Sequence, residues 1–352
     1  MIPESHLGET AGRTGPAVAH RTDGTLLAGS VTVIIPNWNG LAHLHECLTC
    51  LREQTLVPER ILLVDNDSAD ESCDFVAAHF PEVEIVSMPL NGGFSYAVNE
   101  GIRRTVTEYV VLLNNDTHAE PDCLEQLVRA LEASPAYAMA TPRMVLYYDR
   151  NLMNAAGDVY DLSVLAGRNR GLRKSIERYD ARVRVFGACA GAALYRRSLF
   201  DDIGIFDEGF FLMSEDTDIN LRALIAGHKC LYVPAAWIFH KMRATIDEQP
   251  SEKMSLLAMR NEVMVVAKDL PYMLIVWALL IYPWRIFRST FPLRPANWHL
   301  IAERLRLLPQ RIRVEREGFS TGWSKRRDVY SRRKVPDWVI MRWLVWGVGR
   351  AL

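Results

Sequence analysis

Short apolar segments alternate with segments of helical spacing through the first half of the chain. The apolar segments are VTVIIP from residue 31, ILLV from 61, VEIVSM from 83 and YVVLL from 109. Between them, apolar residues recur every three or four positions in LAHLHECLTCLREQ, near 70–79, and from about Ser95. This alternation predicts a βαβα order, which requires a mostly parallel sheet with helices on both faces.

Three of these apolar segments end in tetrapeptides rich in Asn and Asp. They are NWNG at 37–40, DNDS at 65–68 and NNDT at 114–117. One such end is ordinary turn chemistry, because Asn and Asp hydrogen-bond to nearby backbone groups. Since ligands of parallel sheets bind beyond the carboxyl ends of the strands, three such ends on one edge predict a binding site.

The second half is less regular. Residues 143–182 have no assignable pattern, and SEDTDINLRALIAG then predicts an amphipathic helix whose first turn carries Glu215, Asp216 and Asp218. Acidic residues in a first turn complement the helix dipole. Three carboxylates within four positions also repel one another, which raises the proton affinity of at least one and suits a general base. Asp218 is expected to orient the helix through Arg222 at i+4.

Composition describes a globular chain with an unusual tail. The 352 residues are 49% hydrophobic and 24% charged. Residues 285–352 contain 16 Lys and Arg against 5 Asp and Glu, a balance of +11. The whole chain has a net charge of −1, so residues 1–284 have a net charge of −12. The body and the tail are therefore expected to meet different partners.

An apolar run precedes the basic tail. LPYMLIVWALLIYPW, at 270–284, is shorter than the roughly 20 residues that span a bilayer. Seven of the nine Trp lie at or beyond residue 277. Apolar, aromatic and cationic residues together predict attachment to an anionic membrane surface. A buried core helix is the alternative, whereas a nucleic-acid partner is not expected because it would leave the apolar run unexplained.

Two further features exclude other classes. Residues 1–30 lack the basic start and apolar run of a signal peptide, so we expect a mobile N-terminal extension in the cytoplasm. Cys47 and Cys50 form a CxxC inside the leucine-rich segment, with no second CxxC to complete a zinc site. Buried thiols on a packed helix are therefore expected.

Six ordered motifs between Thr32 and about His240 resemble family 2 glycosyltransferases with the GT-A fold, in particular the branch with bacterial rhamnosyltransferases. They are VIIPNWNG, LLVDNDSAD, NGGFSYAVNEGI, LLNNDT, GACAGAALYRRSLFDDIGIFDEGFF and SEDTDINLRA. The resemblance implies a GT-A, Rossmann-like α/β catalytic domain over 31–254, with a nucleotide-binding half (31–140) and an acceptor half (141–254). A helical, basic, Trp-rich membrane-associating region is expected over 255–352.

The resemblance also implies donor-binding residues, with Asp65 accepting the imide N–H of a uracil or thymine ring. The residues expected to contact the nucleotide or donor are Pro36, Asn37, Asn39, Asp65, Asn66, Asn91, Gly92, Gly93, Asn99, Asn114 and Asn115. From the residues alone, DNDS is equally an Asx turn before a helix capped by Ser68 or Asp70, and NGGF is equally a glycine turn.

A divalent cation, Mg²⁺ or Mn²⁺, would neutralise the departing diphosphate. The family's metal motif is Asp-any-Asp, and here Asn114 stands first and Asp116 last, so a single carboxylate remains. The resemblance makes His240, the last residue of AAWIFH, its partner in holding the cation. A lone His with a structural role is the alternative.

The remaining implied roles belong to the acceptor half. Asp216 would be the general base with Glu215 beside it, and Gly191, Arg196 and Arg197 would line the sugar and acceptor side, where either arginine could reach a phosphate. The implied function is an inverting transfer of a rhamnose-like sugar from a dTDP- or UDP-linked donor to a lipid-linked saccharide. The protein would act at the cytoplasmic face of the inner or plasma membrane.

Alternative functions are transfer to a polyprenyl phosphate and a nucleotide-sugar-binding subunit without turnover. The residue Asn114 favours the second of these, because it removes one carboxylate from the metal motif. A sugar nucleotidyltransferase would need a Gly-rich, Lys-bearing loop after the first strand, and PNWNGLAHL contains no such loop.

Overall fold

A computed structural model describes residues 31–242, 252–291, 301–346 and 348–351, so the expected N-terminal extension lies outside the described residues. The strands are β1 Val31–Asn37, β2 Arg60–Asp65, β3 Val83–Ser87, β4 Tyr109–Leu113, β5 Thr117–Ala119, β6 Met139–Leu146, β7 Asp149–Ala155, β8 Asp158–Asp161, β9 Ala166–Asn169, β10 Val183–Val185, β11 Ala192–Arg196, β12 Cys230–His240 and β13 Val348–Ala351. The helices are α1 Leu41–Arg52, α2 Ser72–His79, α3 Phe94–Arg104, α4 Cys123–Glu132, α5 Arg197–Ile203, α6 Glu215–Ile225, α7 Glu252–Asp269, α8 Tyr272–Thr290, α9 Ile301–Ser331 and α10 Asp337–Trp346.

The first four strands form the parallel half of the sheet. Their order is β3-β2-β1-β4, and every pair in this set is parallel. Alternate residues of β1 point to two separate cores: Val33 packs with α1, whereas Ile34 packs with α3. Because both faces are covered, the strands read as continuous apolar runs. The predicted α/β class with helices on both faces is confirmed.

Helix α1 buries its leucine stripe together with the CxxC thiols. Leu44, Leu48 and Leu51 are buried, and so are Cys47 and Cys50. Burial raises the pKa of both thiols, because the charged thiolate is disfavoured away from water. The expectation of buried thiols on a packed helix is therefore confirmed.

Strand β11 changes the direction of the sheet. It lies antiparallel between β4 and β6, and β6 is in turn parallel to β12. The reversal matters for function because the start of β11 pairs with the end of β4, through Ala192 and Leu113. The loop 187–191 before β11 is thereby brought to the edge where β4 ends.

The C-terminal helices pack against α6. Leu221 of α6 shares a core with Met264 of α7. Helices α7 and α9 approach closely, since a Cβ at Gly318 would lie 2.2 Å from the Arg260 carbonyl oxygen and one at Gly322 would lie 2.3 Å from that of Met264. Only glycine permits this contact between the two backbones.

Helix α8 carries the apolar run and leaves one face uncovered. Leu280 is 72% exposed. The other large apolar residues exposed on α8 are Tyr272, Met273, Val276, Trp277, Leu279, Trp284 and Phe287. Among the described helices, none combines the length and the apolar character needed to cross a membrane.

Candidate active site

A network of buried amides and one carboxylate joins the carboxyl ends of β1, β2 and β4. Asn37 donates from Nδ2 to Asp65 Oδ1 at 3.0 Å and accepts at Oδ1 from Asn115 Nδ2 at 2.8 Å. Three predicted donor-binding residues from three strand ends therefore meet. Asp65 also accepts from the Ser68 backbone N–H at 3.1 Å, so the same carboxylate forms the Asx turn that the sequence left as an alternative.

The first loop and the NGGF segment adjoin this network. Pro36 lies near the end of β1, and Asn39 has a positive φ of 50°. The Asn66 amide spans the NGGF turn, donating to Asn91 Oδ1 at 2.9 Å and accepting from the Gly92 N–H at 3.1 Å. Their contacts with a nucleotide stay a prediction.

Gly93 connects this edge to a loop of the acceptor half. Its φ is 87°, and a Cβ there would lie 2.1 Å from the Phe211 carbonyl oxygen. That oxygen accepts a hydrogen bond from the Phe94 N–H at 2.8 Å. Loop 211–214, which leads into α6, is therefore held by the start of α3.

Three predicted site residues have structural roles instead. The Asn99 amide is buried and bonds to both the N–H and the carbonyl oxygen of Phe206, so it is not available to a nucleotide. Arg196 pairs with Tyr109, at the opposite end of β4 from Asn114, and its guanidinium bonds to Glu108 and to backbone carbonyls. Arg197 forms an ion pair with Asp201 one helical turn away. These contacts correct the expectation that the arginines reach a phosphate.

Asp116 and His240 come together through the pairing of β5 with β12, in which Thr117 is opposite His240. His240 Nε2 lies 3.1 Å from Asp116 Oδ1. Burial raises the pKa of Asp116, but the hydrogen bond and charge of His240 more than offset this and leave the pKa below its usual value. An ionised carboxylate beside an imidazole nitrogen fits Mg²⁺ or Mn²⁺, which prefer oxygen ligands and accept an imidazole.

Asn154 orients this histidine and was not identified from the sequence. Its Oδ1 lies 2.8 Å from His240 Nδ1. An amide oxygen only accepts, so His240 donates Nδ1–H to Asn154, which leaves Nε2 as the ring nitrogen that faces Asp116 and that would coordinate a cation. Asn154 lies in the stretch without an assignable pattern, so no local signal marked it.

Glu215 and Asp216 begin α6 after a strained turn. Met213 and Ser214 have backbone φ values of 72° and 69°, which residues other than glycine rarely adopt. Asn261 of α7 holds this turn by donating from Nδ2 to the carbonyl oxygens of Leu212 and Met213 at 3.0 and 2.9 Å. This side chain was also missed by sequence reasoning, because it lies about 45 residues beyond the motif it supports.

Glu215 and Asp216 differ in accessibility. Glu215 is 8% exposed, and burial together with the neighbouring Asp216 charge raises its pKa to about 8. Asp216 is partly exposed, and burial raises its pKa as well. Its Oδ1 accepts from the Thr217 N–H at 2.6 Å, whereas its Oδ2 accepts no hydrogen bond from a described residue.

The expected role of Asp218 is supported. Arg222 donates from Nε to Asp218 Oδ2 at 2.8 Å, and Lys268 of α7 lies 2.5 Å from Asp218 Oδ1. The same guanidinium bonds to the carbonyl oxygens of Ile203 and Ile205. Asp218 is fully buried and fixes α6 against α5 and α7.

A second acidic cluster surrounds Asp216. Ligand atoms of Asp158, Cys189 and Asp216 lie within 4.8 Å of one another, and Asn220 bonds to both Asp158 and Ala188. Burial raises the pKa of the Asp158 carboxyl and of the Cys189 thiol, so their neutral forms are favoured. Neutral groups are poor metal ligands, and Asp116 with His240 is the better site for a cation.

One short path connects the two halves of the site. The Asn114 N–H donates to the Gly191 carbonyl oxygen at 2.9 Å, and a Cβ on Gly191 would lie 3.2 Å from Asn114 Nδ2. Asn114 thus faces the acceptor side, two residues before Asp116. Cys189, two residues before Gly191, adjoins Asp216. The Asp116–His240 pair and the carboxylates of α6 therefore lie along a single edge of the sheet.

The match to known families agrees with this arrangement. Residues 32–204 match the sequence model of glycosyl transferase family 2. The chain is 26% identical over 236 residues to the N-acetylglucosaminyl-diphospho-decaprenol L-rhamnosyltransferase of Mycobacterium tuberculosis, covering 60% of this chain and 76% of that relative. It is 25% identical over 229 residues to the O-antigen chain rhamnosyltransferase RfbN of Salmonella typhimurium, covering 62% and 68%.

A solved structure supports the fold. The crystal structure of GalNAc-T7 with UDP, GalNAc and Mn²⁺ aligns with a TM-score of 0.56 at 17% identity, covering 68% of this chain. The chain spans about half of that protein, 48% of its length. The sheet topology and this alignment together define a GT-A glycosyltransferase fold. Residues 32–204 are therefore a glycosyl transferase family 2 domain, and the relatives of the chain include bacterial rhamnosyltransferases.

Proposed function

We propose that the protein is an inverting glycosyltransferase that moves a rhamnose-like sugar from a dTDP- or UDP-linked donor to a hydroxyl of a lipid-linked saccharide in cell-surface polysaccharide synthesis. The observation that carries the proposal is the shared edge of Asp216 and the Asp116–His240 pair. The names of the two rhamnosyltransferase relatives support the sugar, and one of them names a diphospho-decaprenol acceptor.

In this mechanism Asp216 is the general base. Its Oδ1 is held by the Thr217 N–H, which leaves Oδ2 to accept the proton of the acceptor hydroxyl. Glu215, with a pKa near 8, stays mostly neutral at pH 7 and adds little repulsion to the approaching oxygen. The acceptor oxygen then attacks the anomeric carbon opposite the diphosphate, so the configuration inverts.

Asp116 and His240 hold the departing side of the donor. They would bind Mg²⁺ or Mn²⁺, an ion that neutralises the developing charge of the diphosphate when bound. Asn154 keeps the His240 ring in the required tautomer. The amides of Asn37 and Asn115 restrain the Asp65 carboxylate where a uracil or thymine ring would be read.

A transfer assay with purified full-length protein tests this function. dTDP-rhamnose and UDP-sugars are offered with a lipid-linked saccharide, with and without Mn²⁺, and the anomeric configuration of the product is read by NMR. Asp216→Asn should lower turnover about 100-fold or more while calorimetry shows unchanged donor affinity. Asp201→Asn, at an exposed position of α5, is the matched control.

Other outcomes would identify the alternatives. Retention of configuration would refute the single displacement. Donor binding without hydrolysis or transfer would favour a nucleotide-sugar-binding subunit. A product formed only with a polyprenyl phosphate would favour transfer to that lipid.

We further propose peripheral attachment to the cytoplasmic face of the inner or plasma membrane. The exposed apolar face of α8 and the +11 balance of residues 285–352 support it. Full-length protein should bind anionic vesicles at low salt more tightly than neutral ones, and added salt should weaken this binding without abolishing it. Leu280→Gln should reduce it, whereas Val106→Gln, an exposed position in the nucleotide half, should not. Indifference to anionic vesicles at low salt would refute the attachment.

A further inference from the structure

Three side chains that can bind a metal ion come from three separate elements and meet at the start of α6. Asp158 begins β8, Cys189 lies in the loop before β11, and Asp216 belongs to the first turn of α6. The Cys189 Sγ atom and one carboxylate oxygen of each aspartate all lie within 4.8 Å of one another. We call these three residues the thiol cluster. A single ion could therefore contact all three.

The register of the β8–β9 hairpin directs the thiol cluster toward α6. Asp158 is opposite Asn169 in this hairpin, and Asn169 Nδ2 lies 3.9 Å from Cys189 Sγ. Two residues earlier on β9, a Cβ at Gly167 would lie 1.9 Å from Thr217 Oγ1 of α6. Positions two apart share one face of a strand, because side chains alternate. The hairpin face that carries Asp158 is therefore packed on α6.

Asn220 of α6 fixes the other two parts of this contact. Its Oδ1 accepts from the Ala188 N–H at 3.1 Å, and its Nδ2 donates to the Ala188 carbonyl oxygen at 2.9 Å and to Asp158 Oδ2 at 3.2 Å. The Asp158 N–H also donates to the Gly187 carbonyl oxygen at 2.8 Å. The hairpin and the loop that carries Cys189 are therefore held in place by hydrogen bonds, as metal ligands are by the groups behind them.

The Asp158 carboxyl lacks a partner for one of its oxygens. The residue is 3% exposed, and Oδ1 has no hydrogen-bond partner among the described residues. Burial raises the pKa of this carboxyl and of the Cys189 thiol, so both groups hold protons that a bound cation would displace. A buried polar atom without a partner is costly, so it indicates a position where a ligand supplies the missing contact.

We propose that Asp158, Cys189 and Asp216 bind Zn²⁺, and that this ion inhibits transfer by occupying the general base. The binding depends on the thiol cluster alone, whereas the inhibition rests on the proposed function, in which Asp216 accepts the proton of the acceptor hydroxyl. Binding releases the thiol proton of Cys189 and the carboxyl proton of Asp158 to solvent.

The geometry requires only a small movement of the side chains. Zn²⁺ binds sulfur at about 2.3 Å and carboxylate oxygen at about 2.0–2.2 Å, so in a tetrahedral site the ligand atoms are separated by about 3.4–3.6 Å. The three atoms must therefore close from separations of up to 4.8 Å. Asp216 Oδ2 accepts no hydrogen bond from a described residue, which leaves it free to make this movement.

The sulfur ligand separates this site from the Asp116–His240 pair. Protonated groups are poor ligands for Mg²⁺ and Mn²⁺, which prefer ionised or carbonyl oxygen. Zn²⁺ instead binds thiolate strongly, and a coordinating thiol loses its proton outright. A probe that reports a metal–thiolate bond therefore distinguishes the two sites.

Titration of full-length protein with Cd²⁺ tests the site without turnover. Cd²⁺ takes the same ligands as Zn²⁺, and its bond to a thiolate absorbs in the ultraviolet. This absorbance should saturate at one Cd²⁺ per chain, and Cys189→Ser should remove it. Asp158→Asn and Asp216→Asn should each weaken binding at least about 10-fold, because each removes one ligand. Cys73→Ser and Asp201→Asn are the matched controls and should bind as the wild type does.

The inhibition is measured separately, in transfer supported by saturating Mn²⁺. Added Zn²⁺ should inhibit competitively with the lipid-linked saccharide, since the ion occupies the carboxylate that accepts its proton. A chelator followed by fresh Mn²⁺ should restore the activity. Relative to its own uninhibited rate, Cys189→Ser should need at least about 10-fold more Zn²⁺ for half-inhibition, whereas Cys73→Ser should need the same concentration as the wild type.

Two binding results would overturn the site. A Cd²⁺–thiolate absorbance that survives Cys189→Ser, or that is lost equally in Cys73→Ser, would place the ion elsewhere. Unchanged Cd²⁺ affinity in both Asp158→Asn and Asp216→Asn would reduce the site to an isolated thiol. Asparagine at position 158 keeps the oxygen that accepts from Asn220, so this variant should retain the fold.

Two inhibition results complete the test. Relief of Zn²⁺ inhibition by excess Mn²⁺ would assign the inhibition to the Asp116–His240 pair and overturn the inhibitory role of the thiol cluster. Cd²⁺ binding that depends on Cys189, together with transfer that Zn²⁺ does not inhibit, would uphold the metal site. That result would count against Asp216 as the general base, and so against the proposed function alone.

Discussion

Glu215 should destabilise the folded protein at neutral pH, and Glu215→Gln should relieve that cost. The carboxyl is buried beside Asp216, and its pKa is raised from 4.5 to about 8. In the unfolded chain the same group ionises near its ordinary value. Between these two pKa values the folded state binds more protons than the unfolded state, so stability falls as the pH rises from about 4.5 to 8.

The size of the effect follows from the shift. Each pKa unit corresponds to about 1.4 kcal/mol. At pH 7 Glu215 stays protonated in the folded state although its ordinary pKa is 4.5, and this lowers the free energy of unfolding by roughly 3 kcal/mol. Below about pH 4.5 the cost vanishes, because both states carry the proton. Glutamine has a similar shape and no charge to bury. The gain in unfolding free energy of Glu215→Gln should therefore grow from near zero at pH 4.5 to about 3 kcal/mol at pH 7.

Urea unfolding of wild type and Glu215→Gln at pH 5, 6, 7 and 8 measures this dependence. Asp218→Asn is the matched control with the opposite sign. Burial raises the pKa of Asp218, but the charges of Arg222 and Lys268 more than offset this and lower it. Its removal should destabilise the protein at every pH of the series, because it leaves buried cations unpaired. A pH-independent effect of Glu215→Gln, or a loss of stability, would refute the reasoning.

Three further predictions concern the Asp116–His240 pair, the Asn154 side chain that orients His240, and the contact between α7 and α9. Asp116→Ala and His240→Ala should each raise the Mn²⁺ concentration for half-maximal transfer. Because both residues would hold one ion, the loss of transition-state stabilisation in the double variant should be smaller than the sum of the two single losses. Full activity of the wild type in excess chelator would contradict this prediction. Asn154→Ala should raise the same Mn²⁺ concentration about 10-fold by releasing the His240 ring, with exposed Asn151→Ala as the control and an unchanged value as the contrary result. Gly322→Ala should lower the unfolding free energy by about 1–3 kcal/mol, since its Cβ would overlap the Met264 carbonyl oxygen, whereas an ordinary helical site would gain stability from the same change.

The parallel half of the sheet could be predicted because its signals are local. Buried parallel strands are continuous apolar runs, and their polar ends must share one edge, so the meeting of Asn37, Asp65 and Asn115 followed from the pattern. The start of α6 could also be predicted from the sequence, since three acidic residues precede an apolar stripe of helical spacing.

Residues whose roles depend on distant partners could not be placed in this way. Asn99 bonds to Phe206 across 107 positions, and no feature of NGGFSYAVNEGI indicates it. The family resemblance placed Arg196 on the sugar and acceptor side, where it could reach a phosphate. Strand β11 carries it instead to the far end of β4, and only the antiparallel register reveals that. Asn154 and Asn261 act through one or two hydrogen bonds each, which leave no periodic signal.

The C-terminal helices α7 and α9 support the turn that precedes Glu215 and Asp216. The turn before Glu215 has two residues with positive φ, each of which costs about 1–3 kcal/mol unless the surroundings hold it. Asn261 supplies that restraint from α7. Arg326 of α9 in turn bonds to the carbonyl oxygens of Ala267 and Leu270 at the end of α7. Since α8 begins at Tyr272, two residues after Leu270, α7 connects the exposed apolar helix to the turn that precedes Glu215 and Asp216.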